Sequence, residues 1–144
     1  NNIFVTMEGL PGLAVTPAEG YQMDGNLHWS VAEGAKAPAN FFEKFRKSKA
    51  FEDSRKSYPP GWTANDLFAD PKFIALDPDW RGAMDLRLRQ GSPAAGAGVA
   101  IPEDWPDPLR AAGRPDIGAF PAGAEALAVG VRGRIPVAPR PFVP

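Results

Sequence analysis

Along this chain hydrophobic and polar positions alternate in short bursts, with little repetition at helical spacing. In "NNIFVTM", Ile3 and Val5 alternate with Phe4 and Thr6, and "GLPGLAV" places a turn before a second short extended run. In "YQMDGNLHWS", an Asp24-Gly25 turn leads to Leu27 and Trp29 on one face, with Asn26, His28 and Ser30 on the other. Residues 84–89 repeat the pattern, with Leu86 and Leu88 opposed to Asp85, Arg87 and Arg89, and "DIGAF" at 116–120 reads as a further strand. Period-two alternation bounded by Gly, Pro and Asp predicts short strands joined by turns. The end, "VGVRGRIPVAPRPFVP", alternates and then turns proline-rich, which predicts an edge strand or an extended tail.

One stretch changes period. In "ANFFEKFRKSKAFEDSRK", residues 39–56, Phe41, Phe42 and Phe45 form an apolar stripe at helical spacing. Asn40 is placed to cap it with Glu43 as the box partner, and the two prolines of "SYPPGW" end it. "TANDLFADPKF" reads as one helical turn entering an extended segment, with Pro71 forcing Asp70 out of the α region.

The strand at 84–89 stops in "GSPAAGAG", nearly bare backbone. Gly91 can take a positive φ and turn the chain sharply. Ser92 has N-cap chemistry and Pro93 first-turn chemistry, and Ala94–Ala97 form a small-residue turn that can press against a flat surface.

Composition narrows the class. The 144 residues carry a net charge of −1, so no global field points to nucleic acid or a membrane surface. Gly (15) and Pro (17) are abundant, which disfavours long helices. With no cysteine, disulfides and thiolate metal sites are impossible. No apolar run approaches the roughly 20 residues that a membrane span needs. The opening residues lack a basic region and an initiator Met and so do not read as a signal peptide, and the chain reads as a piece of a longer precursor that begins before Asn1.

Taken together, "ADPKF", "DLRLRQGSPAAGAG" and "GRPDIGAF" resemble the C-terminal signature of right-handed parallel β-helix proteins of the pectate-lyase-like superfamily. "DGNLHWS" is similar to the strand that often precedes that signature, so the resemblance spans about residues 20–121. Ala95 and Gly96 stand where an Ile and an Asp are usual, Phe120-Pro121 replaces Tyr-Glu, and the lysine-rich helix lies outside the signature. The resemblance implies an all-β fold: the last coils and C-terminal cap of a right-handed parallel β-helix, with one inserted amphipathic helix at about 40–54. Residues 1–38 would be terminal coil, 39–62 the helical insertion and Pro-rich turn, 63–122 the final coil and cap, and 123–144 an extended tail. Parallel pairing is then expected among the strands near 1–6, 22–29 and 84–89. Ile3, Phe4 and Val5 would lie against the N-terminal part of the precursor or a second copy.

Candidate chemistry is sparse. His28 is the only histidine and falls outward on its strand, as a surface or structural residue or as a binding or acid–base group. Asp77, Asp79, Glu103, Asp104 and Asp107 supply turn chemistry, a Ca²⁺ site, or a carboxylate pair for glycoside cleavage. Trp62 and Trp80, with Trp29, are candidates to stack on a pyranose, or else plug gaps under loops. Lys44, Arg46, Lys47, Lys49, Arg55 and Lys56 face only Glu43, Glu52 and Asp53 on the helix, either as a solvated surface or as a basic face for an acidic polysaccharide.

The resemblance implies an extracellular or periplasmic protein that binds or cleaves polysaccharide, as a lyase or glycoside hydrolase. Its main catalytic groups would lie on coils before this segment. The substrate-binding candidates are Trp62, Trp80, Trp29, His28, Lys44 and Lys47. No cofactor is implied beyond Ca²⁺, and no nucleic acid or membrane span. The alternatives are a non-catalytic surface or adhesion cap and an independent carbohydrate-binding domain.

Overall fold

A computed structural model describes residues 1–9, 22–34, 36, 40–79, 81, 82, 84–101 and 113–126. Strand β1 (Ile3–Thr6) pairs in parallel with β2 (Leu27–Ser30), and β2 pairs in parallel with β3 (Leu67–Phe68). The register stacks Ile3, Leu27 and Leu67 in one column and Phe4, His28 and Phe68 in the next. A second sheet pairs β4 (Phe73–Ala75) antiparallel with β5 (Asp85–Leu88). Between β2 and β3 lie two helices, α1 (Glu43–Arg46) and α2 (Lys49–Ser57).

This arrangement overturns the expected all-β solenoid with a single inserted helix. Among the described residues the protein is mixed α/β, with one three-stranded parallel sheet, one two-stranded antiparallel sheet and two helices. The strand near 84–89 does form, but it pairs antiparallel with 73–75 and does not join β1 and β2. Between Phe73 and Lys72 on one side and Leu88 and Arg89 on the other the chain simply doubles back. "DIGAF" is no strand: the consecutive amides of Ile117 and Gly118 donate to two separate segments, at Ala94 and Asn1. The expected second strand in "GLPGLAV" and the extended end lie outside the described residues.

The predicted helix divides in two. Asn40 does not cap it; its φ is +70°, and the N-cap of α1 is Phe42, with no side-chain cap bond. Ser48 breaks the helix and caps α2, its Oγ accepting from the Phe51 amide at 3.3 Å.

Leu27, Trp29, Leu88, Ala94 and Ile117 form the buried core, and Ile3, Val5, Leu67 and Phe73 pack against it. Full burial of a side chain like Leu27 contributes about 1.5–3 kcal/mol. Ile3 and Val5 thus bury against this chain's own core, whereas Phe4 stays exposed.

The small-residue turn closes one end of that core as its composition suggests. Gly91 has φ +74°, Ser92 Oγ accepts from the Ala94 amide and donates to Pro71 O, and Ala94 is completely buried. Gly98 donates to Pro115 O at 2.8 Å, and a Cβ there would stand 2.7 Å from that same oxygen. Only glycine permits this approach. Asn1 fastens the turn to β1: its side chain donates to Val99 O at 2.8 Å and accepts from Val99 N at 2.7 Å.

Candidate functional site

On the face of β2 turned away from the core, Asn26, His28 and Ser30 are buried as thoroughly as Leu27 and Trp29 on the other. His28 is therefore not outward. The chain leading into α1 covers that face, with Phe41 and Phe42 set edge-on to the imidazole at 5.3 and 5.6 Å, while Phe4 stacks on it at 5.2 Å. Its Nε2–H donates to Asp66 Oδ2 at 2.9 Å. Asp66 also accepts from the Asn26 backbone at 2.8 Å and from the Asn26 amide. Asn26 Oδ1 in turn accepts from the backbone and side chain of Asn2. A polar ladder thus crosses all three strands, from Asn2 through Asn26 to Asp66 and His28, and every buried member has a partner.

Two members of this ladder, Asn2 and Asn26, line a cleft of about 260 Å³. Asn1, Asn2, Gln22 and Asp24 bring amides and a carboxylate to it, and Phe4 and Tyr58 bring aromatic rings. Phe4 is 44% exposed, its ring backed by His28. Asp24 is fixed by three donors at 2.7 Å: the Tyr58 hydroxyl, the Asn65 amide nitrogen of the backbone and the Asn65 side chain. Burial, and then the hydrogen bond to Asp24, push the Tyr58 hydroxyl well above the usual phenol range. It stays a donor to Asp24.

Most of the sequence candidates lie elsewhere. Trp62 is 1% exposed, held by its backbone donating to the buried Ser54 Oγ at 3.0 Å, and Trp29 belongs to the core. Neither indole has a face open to a sugar, because Trp29 on β2 points into the core and Trp62 is buried beside α2. Trp80 lies outside the described residues, as do Glu103, Asp104 and Asp107.

The helical cations are largely answered by acids. Lys47 pairs with Glu43, Lys49 and Lys56 both pair with Asp53, and Arg55 pairs with Glu52. Arg46 turns inward, lying 4.5 Å over the Phe42 ring and donating to the carbonyls of Thr63, Ala64 and Asp66. Lys44 remains exposed. Six cations still outnumber three acids on this stretch, with Lys44 the exposed cation that no acid meets among the described residues.

Asp77 serves a turn, its carboxylate accepting from the amides of Asp79, Arg81 and Gly82, which together hold it below the usual carboxylate range. Among the described residues no three His, Asp or Glu side chains gather as a metal site, and no helix is long and apolar enough to cross a membrane.

Phe4, Asp24, Tyr58 and Asp66 were not marked by the sequence. Phe4 reads as one more strand residue, and the other three converge only through parallel pairing and the return of α2. No protein-family model, curated protein or solved structure matches the chain.

Proposed function

We propose that this protein binds a saccharide, with the cleft between Phe4 and Tyr58 receiving one sugar unit. The observation that carries this reading is the exposed Phe4 ring beside a rim of amides and a carboxylate. An aromatic face suits the apolar face of a pyranose, and planar amides and carboxylates suit neighbouring hydroxyls, which both donate and accept. The size agrees: about 260 Å³ is just below the roughly 300–1,000 Å³ of sites for larger ligands. The ring and Asp24 are held before a ligand arrives, which lowers the entropy cost of binding. The Asp24 carboxylate on the rim favours a neutral sugar unit at this cleft over an acidic one. A saccharide-binding role fits an extracellular or periplasmic setting, and the reading concerns binding alone.

The test is calorimetric titration of the full chain with neutral gluco-, xylo- and manno-oligosaccharides. Binding by at least one class is expected, with Phe4→Ala weakening it about tenfold. Absence of binding by all three at millimolar concentration, or unchanged affinity in Phe4→Ala, rejects the reading.

A further inference from the structure

A different cleft, of about 310 Å³, opens where the antiparallel hairpin begins, and Lys72 and Arg89 both line it. It shares no lining residue with the cleft at Phe4. The two cations sit opposite one another across the hairpin, the Arg89 amide donating to Lys72 O at 2.9 Å. Like charges directly opposite in a strand pair are destabilising. Elsewhere this chain answers such charges with acids: Arg87, one turn of the pleat away, is paired with Asp85 at 2.6 Å. Neither Lys72 nor Arg89 has an ion pair among the described residues. Asp70, the acid that lines the same cleft, accepts from the Lys72 backbone at 2.8 Å.

The two cations are also held in place. Lys72 Nζ donates to Gly91 O at 3.0 Å, and Arg89 Nη2 donates to Ile74 O. Each bond spends one donor of an ammonium or guanidinium group and leaves others available. Lys72 has φ +53°, uncommon for a residue with a side chain, and the Asp70 carboxylate fixes its backbone there. Gln90 adds an amide to the rim, and Phe73 and Leu76 form an apolar wall.

We propose that Lys72 and Arg89 form a binding site for a compact oxyanion. An anion seated in the cleft that both line would take charge-assisted hydrogen bonds from their remaining donors, with the guanidinium fork offering two parallel ones. The oxyanion could be the carboxylate of an acidic sugar or a sulfate or phosphate group, since all present the same acceptors.

The test is a ¹H–¹⁵N titration of the full labelled chain with sodium glucuronate, sulfate and phosphate separately, at constant ionic strength set with chloride. Saturable shifts centred on residues 72–73 and 89–91 are expected with at least one of them. Response to glucuronate alone identifies the carboxylate, and response to sulfate or phosphate identifies the ester-type oxyanion. Lys72→Gln and Arg89→Gln should each weaken the response at least about fivefold. Wild-type shifts no larger than those from chloride, for all three anions, overturn the site. So do saturable shifts unaltered in both variants. If one variant fails to fold, the wild-type titration and the other variant still decide. Because neutral oligosaccharides test the Phe4 cleft, either proposal can fail while the other stands.

Discussion

Nε2 of His28 lies 2.9 Å from Oδ2 of Asp66, and both side chains are shut away from water. A buried carboxylate stripped of one of its donors is costly, because the charge keeps its desolvation penalty and loses its compensation. His28→Ala should therefore lower unfolding stability by about 3–5 kcal/mol in urea titration. His28→Gln, which retains a donor, should lose less. Equal losses in the two variants would show that the ring's packing, not the hydrogen bond, is what matters.

Trp62→Ala should remove about 3–5 kcal/mol of stability, since it empties a fully buried indole site. A binding role for Trp62 would instead lower saccharide affinity with little change in the unfolding curve. Comparing unfolding with calorimetric binding separates the two.

The Tyr58 hydroxyl provides an alkaline signature. Its folded value is raised above the unfolded value of 10.0, first by burial and then by Asp24. Stability from this group is present below pH 10 and is lost as pH rises toward the folded value. Tyr58→Phe should flatten the alkaline decline in melting temperature. In absorbance titration, Asp24→Asn should bring the phenol's midpoint down toward its ordinary range.

At the acid end, Asp53 is held at about 2 by hydrogen bonds from Lys49 and Lys56. Its folded value lies below the ordinary 3.8, so its contribution is present above pH 3.8 and fades as pH falls through about 2. The pairs are exposed and screened by salt, so the effect on stability is small. The direct check is NMR titration of the Asp53 carboxyl carbon, whose midpoint should rise in the double variant Lys49→Gln/Lys56→Gln.

Two glycines should respond differently to alanine. At Gly91 the added Cβ meets open space and only the positive φ is unfavourable, for a loss of about 1–2 kcal/mol. At Gly98 the Cβ meets the Pro115 carbonyl, so the segments must separate and a hydrogen bond goes with them. Thermal melts should rank Gly98→Ala as the more destabilising.

Local pattern made the strands legible and hid much of the site. Alternation located β1, β2 and β5, and the parallel pairing of β1 with β2 was as expected. The phenylalanine stripe was legible too, since Phe41 and Phe45 are buried. Alternation could not show that both faces of β2 are covered, because Phe41 and Phe42 reach His28 only through the return of the chain. For the same reason the sequence leaves Trp62, next to Pro and Gly, either stacking on a sugar or plugging a gap under a loop, and it lies buried beside α2. The pairing of β5 was misassigned because short strands carry no label for their partner: Asp85–Leu88 fits either sheet by composition, and its nearness in the chain to β4 decides it. The facing of Lys72 and Arg89 follows from that same antiparallel register.

The columns Ile3–Leu27–Leu67 and Phe4–His28–Phe68 match residues across two connections of unequal length. The same register is thus reached across both, and for a flexible connection added length brings only a slowly growing entropic cost. Positions in a column are direct cross-strand neighbours, whereas the connection from β2 to β3 is tied to them only where Phe41 and Phe42 meet His28 and Arg46 meets the carbonyls before β3.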